Sequence, residues 1–271
     1  MDEQWSVDGP QVIDVGSGDD PVRAVKVRLV AGRVDVVAHD RGDGGATVEV
    51  SSVRGRPLEV SWDGGALEVA HPRLGWESLF EHRSGRPGRD DEAVVSIAVP
   101  RGTQVELGTV SGDGLVSGVH APTHVRTVSG TVVVDGVVGK VSARTVSGEI
   151  EVRDQDGAFA GESVSGAVSV HALHLPSLSS KSVSGDVSVD LLEAPSELRV
   201  KTVSGDVTLR FPAGSGYDLR ARSVSGAVVA DGRRLDGRHG QAKGQLSAGD
   251  PDVRLVADTV SGDVTLLRAL A

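Results

Sequence analysis

Eight near-copies of one five-residue motif constrain this chain more than any other feature: Thr109-Val-Ser-Gly-Asp113, Thr127-Val-Ser-Gly-Thr131, Thr145-Val-Ser-Gly-Glu149, Ser163-Val-Ser-Gly-Ala167, Ser182-Val-Ser-Gly-Asp186, Thr202-Val-Ser-Gly-Asp206, Ser223-Val-Ser-Gly-Ala227 and Thr259-Val-Ser-Gly-Asp263. From one motif serine to the next the steps are 18, 18, 18, 19, 20, 21 and 36 residues, the last being two units of 18. A unit this short has no room for two helices. A fixed short period marks a stack in which each unit buries its apolar face against its neighbours alone. Alternating apolar residues follow the glycine, as in Val132 and Val134, and a second alternating run precedes the next motif, as in Val141 and Ala143. Period-two alternation twice per unit is strand chemistry. The expected fold is therefore all-β, a β-solenoid of about eight coils.

The alternation also predicts which side chains point inward. In Val203-Ser-Gly-Asp-Val-Thr-Leu209, residues 203, 207 and 209 share parity, which places Val203, Val207 and Leu209 in the core and Thr202, Ser204, Asp206 and Thr208 in water. The alternative, with Thr202 and Ser204 inward as a hydroxyl ladder, leaves a column of valines exposed and so forfeits apolar burial. Glycine at the fourth position is read as a corner or bulge that a Cβ would obstruct.

Residues 1–104 lack the motif but remain strand-rich, with alternation at Val25, Val27 and Leu29, and Leu58-Glu-Val60 and Leu67-Glu-Val69 flank a hairpin turn at Asp63-Gly-Gly65. We read 1–104 as an antiparallel β cap on the first coil and 105–271 as the solenoid, because an uncapped solenoid end exposes apolar side chains and unpaired strand groups. Within the cap, Leu74, Trp76, Leu79 and Phe80 gather large apolar groups in a chain that is only 3% aromatic. Either they fold back to plug the end or they form a contact for a partner. They are the first candidate binding element.

The second lies in an inserted loop at 231–251, where Arg233, Arg234 and Arg238 make a locally basic, glycine-rich patch within the 36-residue step. Beyond it, Val264-Thr-Leu-Leu-Arg-Ala-Leu-Ala271 is the last strand in sequence, with nothing following to cap it. A homodimer through that C-terminal edge strand is the corresponding expectation.

Net charge of −10 disfavours a nucleic-acid backbone or an anionic membrane surface as the main partner. The chain has no cysteine, so disulfides and cysteine metal sites are excluded. No apolar run of signal-peptide length follows a basic segment at the start, and no stretch approaches the ~20 apolar residues of a membrane span. The location expected from these features is cytoplasmic, with peripheral envelope association only through a partner.

Catalytic, cofactor and metal sites are not expected. Asp186 and Asp206 are the only aspartates on consecutive coils in the position after Ser-Gly, far below the density of a calcium-binding β-roll. His120 with His124, and His171 with His174, lack the spacing that aims two imidazoles at one metal from strands. The repeated exposed residues are Thr and Ser with no base beside them, and a polysaccharide-cleaving site needs an acidic cluster that the repeats do not display.

The Val-Ser-Gly-Asp repeats, the preceding Ser96-Ile-Ala-Val-Pro-Arg-Gly-Thr103 and the closing Gly249-Asp-Pro-Asp-Val-Arg-Leu255 together resemble a bacterial β-strand-repeat family known as "putative adhesin", a domain of unknown function. The resemblance implies a β-solenoid, a bacterial source and a link to the cell envelope or its stress responses, and it brings no catalytic motif. The functional expectation is a non-enzymatic scaffold or protein-interaction module, with a protein as the partner. The alternatives are an envelope stress or adhesion module recruited by a partner, and a polysaccharide-active enzyme.

Overall fold

The computed structural model describes residues 3–72, 91–193, 195–235, 242–248 and 253–269, and among them every regular element is a β-strand. The chain is a β-solenoid dividing into two units, Met1–Gly139 and Lys140–Ala271. No helix among the described residues is long and apolar enough to cross a membrane.

The first unit contains β1 (Glu3–Val7), β2 (Gln11–Val15), β3 (Ala24–Leu29), β4 (Ala31–His39), β5 (Ala46–Arg54), β6 (Leu58–Trp62), β7 (Ala66–Ala70), β8 (Glu92–Pro100), β9 (Gln104–Thr109), β10 (Asp113–Ser117), β11 (Thr123–Thr127) and β12 (Thr131–Asp135). Its strands form one sheet in the order β1-β6-β7-β3-β9-β11 and a second in the order β2-β5-β8-β4-β10-β12. Neighbours β1–β6, β6–β7, β2–β5 and β5–β8 are antiparallel. The β6–β7 turn carries Gly64 at φ +82°, as the hairpin chemistry requires.

Parallel stacking begins upstream of the first recognisable motif, because β3 and β4 pair in parallel with β9 and β10. Leu29-Val-Ala-Gly32 holds the motif's place there, its Leu29 and Val30 carbonyls accepting from Val110 and Ser111 N–H at 3.1 and 2.8 Å. The copy is invisible to pattern reading because apolar Leu29 and Ala31 stand where the other copies carry hydroxyls.

The second unit contains β13 (Val141–Thr145), β14 (Glu149–Asp156), β15 (Phe159–Ser163), β16 (Val168–His174), β17 (Ser177–Ser182), β18 (Val187–Leu191), β19 (Glu197–Lys201), β20 (Val207–Phe211), β21 (Tyr217–Ser223), β22 (Val228–Ala230), β23 (Arg233–Arg234), β24 (Ala242–Ala248), β25 (Val253–Thr259) and β26 (Val264–Arg268). The sheets run β13-β15-β17-β19-β25-β21-β24 and β14-β16-β18-β20-β26-β22-β23. The last coil in sequence thus sits between two earlier ones. β25 pairs in parallel with both β19 and β21, and β26 with both β20 and β22.

This order corrects the C-terminal edge expected from sequence. With ladder partners on both sides, β26 has no open edge to offer a second copy, so the homodimer through that strand has no structural basis. The segment after Ala230 instead supplies short antiparallel strands, β23 on β22 and β24 on β21.

The inward parity also needs correction. Thr202 is 6% exposed and Val203 is 48% exposed, the reverse of the expected placement. All eight leading hydroxyl residues, from Thr109 to Thr259, are buried. The reason is the corner between the two sheets, where the Gly205 N–H lies buried beneath the turn. The Thr202 Oγ1 accepts from it at 3.0 Å, and the same bond recurs from Gly185 to Ser182 at 2.9 Å and from Gly262 to Thr259 at 3.0 Å. Leaving a buried N–H unsatisfied costs about 1–3 kcal/mol. Half-exposing one valine gives up only about half of the 1.5–3 kcal/mol that full burial provides, so the hydroxyl takes the inside.

The remaining motif letters have similar structural tasks. Each glycine packs against the backbone of the next: a Cβ on Gly166, Gly185, Gly205, Gly262 or Gly226 would overlap the preceding glycine's carbonyl oxygen in the stack. The motif serines bond to the neighbouring coil, as Ser204 Oγ does in donating to the Val183 carbonyl at 3.3 Å. The aspartates cap amides of adjacent coils: Asp186 Oδ1 accepts from Asp206 N at 2.9 Å, Asp206 Oδ1 from Asp263 N at 2.8 Å, and Asp263 Oδ1 from Ala227 N at 2.7 Å. Because β26 lies beside β20, Asp263 joins Asp186 and Asp206, and the aspartate row is longer than the pair read from sequence.

Candidate functional site

With the motif committed to holding the coils together, chemistry must come from the columns on either side of it. In the second unit, buried Val152, Val170, Val189 and Leu209 fix β14, β16, β18 and β20 against the core. Their outward neighbours then form two rows across parallel strands. One row is Glu151, Ser169, Ser188 and Thr208, and the other is Arg153, His171, Asp190 and Arg210. Small Ser169 and Ser188 between larger groups leave a trough of about 520 Å³ lined by both rows.

Two carboxylate–guanidinium pairs lie in the trough. Arg153 Nη2 lies 2.6 Å from Glu151 Oε1, and Arg210 Nη1 donates to Asp190 Oδ2 at 3.1 Å. His171 Nδ1 is 3.8 Å from Asp154 Oδ1. Asp154 reaches that position because β14 bulges, its register against β16 shifting between Arg153 and Gln155. Arg153 and Asp154 both face outward while Gln155 is buried, and Asp154 adopts φ +47°. A bulge of this kind re-aims one side chain without disturbing the flanking ladder, and aspartate tolerates the left-handed region better than most residues.

A smaller hollow of about 370 Å³ lies on the other sheet of this unit, lined in part by Lys140, Ala160, Ser179, Glu197 and Arg199. Among the described residues no group of three or more His, Asp or Glu is placed to hold a metal ion.

Two further polar clusters stabilise the chain. In the first unit Asp91 is buried and receives the Arg56 backbone N–H at 2.9 Å, Nε at 2.8 Å and Nη2 at 2.5 Å. Those side-chain bonds hold its carboxyl below the usual range. Nearby His71 accepts the Val30 N–H at Nδ1, 3.2 Å away, and burial pushes its pKa down while Asp91 opposes the shift. In the second unit Tyr217 is fully buried and donates to Asp231 Oδ2 at 2.7 Å, which is also 2.7 Å from Arg268 Nη2.

Of the contacts expected from sequence, Leu74, Trp76, Leu79, Phe80 and Arg238 lie outside the described residues. Arg233 and Arg234 are exposed on β23, separated from the trough by β26 and β22 in the same sheet. The trough residues Glu151, Arg153, Asp154, His171, Asp190 and Arg210 were missed as a site. Their signal was present: the fourth and sixth positions after the motif serines Ser147, Ser165, Ser184 and Ser204 spell out the two rows.

No curated protein matches the chain. Among solved structures, a protein from Parabacteroides distasonis ATCC 8503 described as a putative lipid binding protein aligns over 98% of this chain and 98% of its own, at 11% identity and a TM-score of 0.51. A putative adhesin from Bacteroides fragilis NCTC 9343 aligns over 99% and 96%, at 10% identity and a TM-score of 0.43. A putative cell adhesion protein from Clostridium sporogenes ATCC 15579 aligns over 96% and 100%, at 10% identity and a TM-score of 0.27. The likeness to the first is one of fold alone. The profile of the family described as Toastrack DUF4097 matches residues 25–267, which takes in β4 to β25 whole and every copy of the motif. The chain belongs to the Toastrack DUF4097 family.

Proposed function

We propose that this protein is a non-enzymatic binding scaffold whose contact face is the trough on β14, β16, β18 and β20. The observation that carries this reading is the division of labour along the coil. The repeated Thr/Ser-Val-Ser-Gly corner is committed to stacking, whereas the outward columns of four consecutive coils carry unlike polar groups around a hollow. Concave surfaces with a few converging polar groups on a rigid support are where ligands and partners bind. The trough offers no serine or threonine hydrogen-bonded to a histidine or carboxylate that would prepare a nucleophile, which supports binding over catalysis.

Filling the hollow tests the reading. The Ser169→Trp, Ser188→Trp double variant adds bulk on the outward face and leaves the inward valines untouched, so its melting temperature stays within about 2 °C of wild type, as is usual for surface changes. Proximity labelling in the native host should then lose the partners seen with wild-type protein. An unchanged partner set would contradict the assignment of the trough as a contact face for protein. The exposed Arg233 and Arg234 pair on β23 is retained as a second contact, tested in the same assay by an Arg233→Ala, Arg234→Ala variant.

A further inference from the structure

We infer that the trough takes a neutral oligosaccharide, a proposal that rests on the trough being the binding face. The first argument is charge. Glu151 is already paired with Arg153, Asp190 with Arg210, and Asp154 lies beside His171. A charged ligand would have to compete with the two carboxylate–guanidinium pairs, and an anionic one would also approach a chain of net charge −10. A hydroxyl group has no such conflict, because it donates and accepts at once. The Asp190–Arg210 bond joins Oδ2 to Nη1; a carboxylate has about four acceptor sites and a guanidinium five N–H donors. A vicinal diol can bridge such a pair, one hydroxyl donating a hydrogen bond to the carboxylate and the other accepting one from a guanidinium N–H, while the pair stays intact.

The second argument is shape and period. The floor is low at Ser169 and Ser188, whose hydroxyls supply further donors and acceptors, and the volume of about 520 Å³ is that of a ligand site. The rungs recur at about 4.8 Å, close to the length of one sugar ring in an extended chain, so successive rings meet successive coils. The third is the bulge. Asp154 at φ +47° is an uncommon conformation for a residue with a side chain, and it sets a carboxylate and His171 together at one end of the trough. Backbone held this way clusters where a surface is shaped for contact. Since no Phe, Tyr or Trp lines the trough, its grip on a sugar comes from hydrogen bonds.

The test uses the full chain in isothermal titration calorimetry with cellopentaose, chitopentaose, maltopentaose and mannopentaose as neutral probes and trigalacturonate as the acidic one. At least one neutral probe should bind, with affinity lowered tenfold or more both by Ser188→Trp and by the Asp190→Ala, Arg210→Ala double variant. Thermal melting of each variant confirms that it is folded. If one variant unfolds, the other still decides, since they alter different rows. Binding of trigalacturonate alone, neutral binding that survives both variants, or no binding by any probe overturns the ligand class. If no probe binds but the Ser169→Trp, Ser188→Trp variant still loses its partners in the host, the trough binds protein and only this proposal fails. If neither depends on the trough, the scaffold reading fails with it.

Discussion

Gly205→Ala lowers the melting temperature by about 6–12 °C, whereas Gly65→Ala leaves it within about 2 °C. A Cβ at position 205 would be driven into the Gly185 carbonyl of the neighbouring coil and would also approach Thr202 Oγ1 to 3.1 Å, while one at position 65 meets nothing within 4 Å. Overpacking that the backbone must yield to costs about 3 kcal/mol at the upper end of its usual range. A loss of that size moves the melting point by roughly 2–4 °C per kcal/mol in a domain of 150–250 residues. Differential scanning calorimetry of both variants measures the difference. Equal melting points would mean that the glycine column does not stack in close contact, and the account of the motif as a corner device would fail.

Tyr217→Ala is the second large effect, at about 3–5 kcal/mol, the usual range for removing a buried aromatic ring. Its ring lies beneath the Arg268 guanidinium, 5.7 Å from the centroid, and its hydroxyl donates to Asp231, a residue at φ +48° just after β22. Tyr217→Phe keeps the ring and should lose about 1.5 kcal/mol, the low end for a hydrogen bond to a charged group, because Arg268 still pairs with Asp231. As Tyr217 is the only tyrosine in the chain, its ionisation can be followed by absorbance alone. Burial, and then the Asp231 bond, push its pKa well above the ordinary value. The folded protein therefore shows no phenolate step near pH 10, where a free tyrosine titrates. The sign follows from linkage: the contribution is whole below the unfolded pKa and declines as pH rises above it, since only the unfolded chain then gains by ionising. A normal step near pH 10 in folded protein would place Tyr217 in solvent.

The period of the motif made the solenoid legible, because stacking of short strand pairs is the only way such units bury their valines. The order of the coils was not. A parallel ladder joins backbone to backbone, and the backbone of β20 accepts β26 as readily as the strand next in sequence. The 36-residue step from Ser225 to Ser261 therefore carried no record of the insertion. The placement of Val203 failed for a different reason. Counting apolar burial alone favoured the valine, and the buried Gly205 N–H that decides for Thr202 exists only once the corner is folded. Leu29-Val-Ala-Gly32 was hidden by the loss of its hydroxyls, although its glycine still lies close against Ala93, with φ +106°. The trough lies in the columns four and six residues beyond the motif serines, where the residue type changes from coil to coil and so leaves no repeat to read, although His171, Asp190 and Arg210 follow one another across consecutive strands. The bulge at Asp154 had no sequence signal of its own, since no glycine marks it.

The most direct test of the binding face is photocrosslinking from within it. A benzophenone amino acid placed at position 188 on the trough floor, with one at position 65 as control, is irradiated in the native host and the adducts are resolved by mass spectrometry. Adducts are expected from position 188 that are absent from position 65. No adduct from 188, or the same adducts from both positions, would contradict it.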